Sequence, residues 1–252
     1  MNSFRIDQTR VEVWRDLSEL SERAAELLIG IAREATSEKG AFTLALSGGS
    51  TPKALYQLLA TDAKSSRVEW GKTHLFWTDE RCVPPDNPQS NYGMAEATLI
   101  SHVDVPLGQV HRMHGEDEPT RAADAYAEEL DQYFGVGDPR FSLILLGMGD
   151  DGHTASLFPN SSALADTAHT VAASYVEKMK THRLTLTLRT LNAAATIIFL
   201  VSGKTKAKAL SVVFGSQRIN GGALPAQLIR PAKGELIWLV DEPAARLVNS
   251  RY

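Results

Sequence analysis

The stretch Phe42-Thr43-Leu44-Ala45-Leu46-Ser47-Gly48-Gly49-Ser50-Thr51-Pro52-Lys53-Ala54-Leu55-Tyr56-Gln57-Leu58-Leu59 sets the reading of the whole chain. A short apolar run is stopped by a loop of glycines and hydroxyl residues. Behind it, a proline suited to the first turn of a helix opens a second apolar pattern. This is strand, glycine turn, helix. The same order of parts returns along the sequence. Thr73–Thr78 is stopped by Asp79-Glu80-Arg81, and Phe141–Leu146 by Gly147-Met148-Gly149-Asp150-Asp151-Gly152-His153. Thr196–Val201 ends in Ser202-Gly203 ahead of a helix through Lys206–Phe214, and Leu236–Val240 ends in Asp241. Near-continuous apolar strands alternating with helical patterns indicate a parallel sheet covered on both faces. The expected class is α/β: one Rossmann-like domain over residues 1–252, its mainly parallel sheet flanked by helices on both faces. No internal repeat, low-complexity tract or linker divides it. Upstream, Leu17, Leu20, Ala24, Leu27, Leu28 and Ile31 recur near helical spacing, which predicts a long amphipathic helix from about Val13 to Glu38, broken at Gly40.

With 252 residues, 43% apolar and 22% charged, and 18 Gly and 11 Pro scattered, the chain has the composition of a globular protein with a sizeable core. Disordered, collagenous and fibrous classes are excluded. A formal charge of -4, without a block of consecutive basic residues, leaves no footprint for a phosphate backbone, so nucleic acid is not an expected partner. Met1–Gln8 lacks the apolar stretch of a secretion signal, and no run approaches the roughly 18 apolar residues of a membrane span. Cys82, the single cysteine, forms no internal disulfide and offers no thiol pair for zinc. These features together predict a cytoplasmic protein.

In open α/β sheets, ligands bind beyond the carboxyl ends of the strands, so the residues directly after each apolar run are gathered in space. The Ser47–Thr51 loop offers closely approachable amides and hydroxyl donors at a helix start, which suits a phosphate. It is not a nucleotide P-loop, because Lys53 stands behind Pro52. The plain alternative is an ordinary capped turn. In Gly147–Pro159, the His153 imidazole can move protons near neutrality, and Asp151, two residues earlier, can orient it. A structural histidine after a turn is the plain alternative there. Arg183 suits a phosphate bidentately and Lys206 as a point charge, unless they are simply surface cations. His111 and His114 could suggest a metal pair, but they lack acidic partners at metal-ligand spacing and read as ordinary loop residues. No G-x-S-x-G, H-E-x-x-H or G-x-G-x-x-G after the first strand is present, which weighs against serine-triad, zinc and nicotinamide chemistry.

Read together, these motifs resemble the 6-phosphogluconolactonase family, within the larger group of sugar-phosphate isomerases and aminosugar-phosphate deaminases. The resemblance rests on Ala45–Pro52, on Trp77–Pro84 with Ser90-Asn91-Tyr92, and on Gly147–Pro159. It continues in order through Arg183–Thr187, Leu191–Ala194, Gly203 with Lys206, and Trp238 with Asp241. What it implies is a carboxylic ester hydrolase that converts 6-phospho-D-glucono-1,5-lactone to 6-phospho-D-gluconate, with no cofactor and no metal. Carried over by motif, Ser47, Gly48, Gly49, Ser50 and Thr51 would hold the phosphate with Arg183 and Lys206. Arg81, Asp79 and Asn91 would join the substrate-binding set. His153 would act as base and then acid, with Asp151 polarising it, and either a loop amide or Arg81 would stabilise the oxyanion.

An aminosugar-phosphate deaminase or isomerase on the same fold is the nearest alternative, and Asp79 could move its carbon-bound proton. The similar deaminases carry a glutamate five residues after their catalytic histidine, however, and here Phe158 stands in that place. A non-catalytic sugar-phosphate sensor is the other, against which the joint presence of His153 and Asp151 argues. Asn160 and Arg189 depart from the family's frequent glycine and proline. Helix faces could be core or dimer contact, so monomer and homodimer both fit; Tyr56, Leu58 and Leu59 are assigned to the core.

Overall fold

All five residues of the strand Phe42–Leu46 are buried. Since neighbouring strand residues point to opposite faces, both faces of the sheet around it are covered. The computed structural model describes residues 2–6, 9–215 and 222–248. In chain order these contain β1 (Asn2–Ile6), β2 (Thr9–Trp14), α1 (Leu17–Lys39), β3 (Phe42–Leu46), α2 (Ser50–Leu59), α3 (Asp62–Ser65), β4 (Thr73–Trp77) and β5 (Asp79–Arg81). There follow α4 (Asn91–Thr98), α5 (Pro119–Phe134), β6 (Leu143–Leu146), α6 (Ser162–Ala165), β7 (Val171–Val176), β8 (Thr181–Leu186) and α7 (Leu188–Asn192). The last elements are β9 (Thr196–Val201), α8 (Ala207–Phe214), β10 (Glu235–Asp241) and α9 (Glu242–Ala245).

The main sheet has seven strands in the order β1-β2-β10-β9-β6-β3-β4. From β2 to β4 every pairing is parallel, and β1 alone runs antiparallel at the edge. The expected α/β class and helix-flanked, mainly parallel sheet are therefore present. Its core includes the Phe199 and Trp238 rings, stacked with centroids 3.8 Å apart, with Phe214 of α8 set edge-on against Trp238 at 5.1 Å. Tyr56 and Leu59 are buried as expected, while Leu58 is partly exposed.

One boundary and one whole sheet differ from the sequence reading. The first helix begins at Leu17, where the Asp16 side chain accepts from the Glu19 amide at 3.0 Å. Val13 and Trp14 belong instead to β2, paired with Val240 and Asp241 of β10. The helix ends as Gly40 turns left-handed at φ 77°, a conformation that costs glycine nothing. The second difference is a small antiparallel sheet, β5-β8-β7. It grows from the carboxyl end of β4: Thr78 donates its amide to the Leu46 carbonyl, and its own carbonyl accepts from the Leu186 amide, both at 2.8 Å. Thus Asp79-Glu80-Arg81, read as a strand-ending turn, is itself a strand.

The two departures from the family pattern have local accounts. Asn160 has φ 63°, where a glycine would sit without cost and an asparagine is tolerated. Arg189 pairs with Asp138 and donates to the Ala168 carbonyl at 3.1 Å. Among the described residues, no helix is long and apolar enough to cross a membrane.

Candidate active site

Beyond the carboxyl ends of the central strands lies a cleft of about 400 Å³. Ser47, Gly48, Gly49, Ser50 and Thr51 line it after β3, and Asp79, Arg81 and Asn91 after β4. Gly147, Met148, Gly149, His153 and Ala155 line it after β6, and Ser202, Thr205 and Lys206 after β9. The rule that parallel sheets bind at strand ends thus gathers residues from four separate loops.

The Ser47 backbone is held on both sides by one hydroxyl: the Tyr56 OH donates to its carbonyl and accepts from its amide, each at 2.9 Å. Gly49 then takes φ 105°, and α2 starts at Ser50. The first amides of a helix have no carbonyl partners within it, so this loop presents donors and the positive end of a helix dipole to the cleft. Gly48 has to be glycine for a different reason. A Cβ there would lie 2.0 Å from Asn91 Oδ1.

The loop after β6 folds back on itself. Gly149 donates its amide to the His153 carbonyl at 2.8 Å, Gly152 turns through φ 80°, and the Thr154 hydroxyl donates to the Gly147 carbonyl at 2.8 Å. This brings His153 Nδ1 to 2.5 Å from Asp151 Oδ1, and the His153 amide donates to the same oxygen at 3.1 Å. The imidazole hydrogen bond holds the Asp151 carboxyl well below the usual carboxylate range, with Lys178 Nζ 3.8 Å away adding to the effect. A carboxylate that stays ionised only accepts, so the hydrogen bond to it is donated by Nδ1, and in the neutral ring that tautomer makes Nε2 the accepting nitrogen. Phe158 covers one face of the ring, with centroids 4.3 Å apart and an interplanar angle of 27°.

Asp79 has both carboxylate oxygens occupied by hydroxyls, from Ser156 at 2.8 Å and Thr78 at 3.2 Å. On the opposite side, buried Asp241 accepts from the Ser202 hydroxyl at 2.5 Å, from the Gly203 amide at 3.0 Å and from the Ala244 amide at 2.8 Å. That clamp fixes the turn carrying Lys206 into the cleft.

Arg183 is the one expected site residue other than Asp151 that does not line the cleft. It stands on β8 directly opposite Arg81 of β5, 7% exposed, with Nη2 3.0 Å from Met179 Sδ. Its Nη1 meets no acceptor among the described residues. Burial, and then the Arg81 charge, pull its pKa below the ordinary guanidinium value. Ser156, Ser202, Thr205 and Glu80 were not singled out by sequence. Each sits inside or beside a motif that was, and position next to a strand end was the only available signal. His111, by contrast, bonds Glu129 at 2.7 Å and His74 at 3.1 Å and stacks on Phe76, away from the cleft. Among the described residues, no group of three or more His, Cys, Asp or Glu gathers as metal ligands would.

Residues 15–238 match the family described as glucosamine-6-phosphate isomerases/6-phosphogluconolactonase. A Synechocystis 6-phosphogluconolactonase is 42% identical over 241 residues, covering 93% of this chain and 96% of its own length. A Nostoc 6-phosphogluconolactonase is 39% identical over 238 residues, with the same coverage of each chain. Among solved structures, the 6-phosphogluconolactonase of Trypanosoma cruzi superposes with a TM-score of 0.85 at 27% identity, covering 100% of this chain and 99% of its own.

Proposed function

Since the chain belongs to the glucosamine-6-phosphate isomerase/6-phosphogluconolactonase family, we infer that it opens 6-phospho-D-glucono-1,5-lactone to 6-phospho-D-gluconate in the oxidative pentose phosphate pathway. One observation carries this reading: the Asp151–His153 pair stands at a cleft also lined by the Ser47–Thr51 loop and Lys206, which together suit an anion. The phosphate lies against the Ser47–Thr51 loop and Lys206, with Arg183 behind Arg81 adding positive potential. Asp79, Arg81 and Asn91 meet the sugar ring. His153 Nε2 takes a proton from water as it attacks the lactone carbonyl, and Asp151 stabilises the imidazolium that forms. The proton then passes to the ring oxygen as the ester bond breaks. Loop amides or the Arg81 guanidinium meet the oxyanion.

Phe158 stacked on the imidazole weighs against the deaminase alternative, because no carboxylate stands at that point to relay a proton. The enzyme is proposed to work in the cytoplasm on a phosphosugar lactone, as a monomer or homodimer of single-domain chains, without nucleic acid, cofactor or metal. Lone Cys82 fits a reducing compartment.

The test is lactone hydrolysis with spontaneous opening subtracted, run beside ammonia release from glucosamine 6-phosphate. Fast opening without ammonia is expected; ammonia release, or silence in both assays, would overturn the reading. Lys206→Ala should raise KM about 10- to 100-fold with kcat nearly kept, since one charged contact is worth about 1.5–3 kcal/mol and phosphate binding is largely uniform between ground and transition states. Unchanged KM would remove Lys206 from the phosphate site.

A further inference from the structure

Glu80 is the member of the Asp79-Glu80-Arg81 run to which the reaction assigns no work, yet its carboxylate is among the most enclosed charged groups in the protein, at 2% exposure. Its Oε1 accepts from the amides of Arg81 and Asn91, both at 2.7 Å. Its Oε2 accepts from the Ser90 hydroxyl at 3.0 Å and the Tyr92 amide at 2.7 Å. Burial pushes the carboxyl up from its ordinary value, and these donors oppose the shift. Among the described residues, no lysine, arginine or histidine lies within ion-pair distance of it. A buried carboxylate without a contact ion pair, whose hydrogen bonds all come from amides and a hydroxyl while the Arg183 charge acts on it only from beyond ion-pair distance, is costly to keep, so its retention in a strand beside the cleft asks for a reason.

The reason lies in what the donors belong to. Ser90-Asn91-Tyr92 opens α4, and all three residues of this run bond the one carboxylate across a gap of ten to twelve residues. Asn91 is thereby pressed against the phosphate loop, where a Cβ on Gly48 would be 2.0 Å from its Oδ1, while its Nδ2 donates to the Asp79 carbonyl at 2.9 Å. Arg81 reaches the same segment through the Gln89 carbonyl. We propose that Glu80 is a positioning residue: by clamping the Ser90–Tyr92 run to β5 it fixes the cleft wall that joins the phosphate loop to Arg81. The role requires a carboxylate. Glutamine keeps the shape but offers one accepting oxygen, and its NH2 group would face an amide donor at Asn91 and Arg81 or at Tyr92. This rests on the lactonase reading for the identity of the ligand.

The experiment compares the parent with Glu80→Gln, Asn91→Ala and the double variant, reading KM and kcat for the lactone and, by calorimetry, affinity for 6-phosphogluconate. Glu80→Gln is expected to weaken KM and product affinity about tenfold while changing kcat less than about threefold. If Glu80 acts through Asn91, the double variant is no weaker than about twofold below the poorer single variant. Ser90→Ala, which removes one of the four donors, gives a milder shift in the same direction and serves if Glu80→Gln does not fold. Losses that add, a fall in kcat without a change in KM, or a lower melting temperature with parental kinetics would each overturn the proposal as a purely structural role. A parent that neither opens the lactone nor binds the product overturns the functional reading, and the inference with it. A working parent matched by Glu80→Gln overturns the inference alone.

Discussion

His153→Ala is expected to lower kcat for lactone opening by about 10² to 10⁴-fold, the usual worth of a positioned general acid–base group, while leaving affinity for 6-phosphogluconate close to that of the parent. The separation follows from the layout of the cleft. The imidazole stands after β6, whereas the candidate phosphate contacts stand after β3 and β9, so removing the ring deletes a contact that matters at the reacting carbonyl. Asp151 sharpens the expectation, since its carboxylate bonds Nδ1 and orients the ring. Some turnover should survive, because the lactone is a labile ester and the amides and cations that meet the oxyanion and phosphate are untouched. Steady-state kinetics with the spontaneous rate subtracted is the measurement. A variant that turns over like the parent would take His153 out of the mechanism.

The second large effect is expected from a residue that touches no substrate through a side chain. A Cβ on Gly149 would stand 2.1 Å from His153 Nδ1, 2.2 Å from its Cε1 and 2.7 Å from Asp151 Oδ1. All three distances are shorter than any ordinary contact, and Phe158 already covers one face of the ring. Gly149→Ala therefore displaces either the imidazole or the loop by an amount of order 1 Å. Misplacement on that scale can cost about 10²-fold in rate. The expected result is a fall in kcat of about that size, with product affinity kept, and an altered His153 ring environment by NMR. Parental kcat with an unmoved ring signal would mean that the loop yields freely and that the pair is not held by its backbone.

These two positions also mark what the sequence could and could not disclose. His153 and the glycines around it were legible because they directly follow Leu143–Leu146, an apolar run that announces a central strand. The other strands of that kind, at 42–46, 73–77, 196–201 and 235–241, were read from the same signal. β2 is absent from the sequence reading because its end, Val13 and Trp14, continues the apolar pattern of the following helix, and only the Asp16 cap separates the two. The small sheet was invisible for a different reason. β5 is three polar or charged residues long and exists through pairing with β8, about a hundred residues later, which no local pattern encodes. Arg183 and Glu80 illustrate the consequence. Arg183 could be named as a cation but not placed behind Arg81, and Glu80 could be quoted in a motif but not seen as the acceptor for a second motif.

The place of β10 bears on how this molecule is made. β10, the last strand among the described residues, is inserted between β2 and β9, with Ile237 opposite both Arg10 and Ile198. While the ribosome is still copying the preceding segment, β2 and β9 lack the ladder that joins them, and each exposes an unpaired edge. β2 then waits for the whole stretch between Arg10 and Ile237 before it can be zipped to β9. Such wide sequence separation between paired strands slows folding and prolongs the interval in which bare edges can find the wrong neighbour. Arrival of β10, more than the emergence of any catalytic loop, is the event that lets the sheet close.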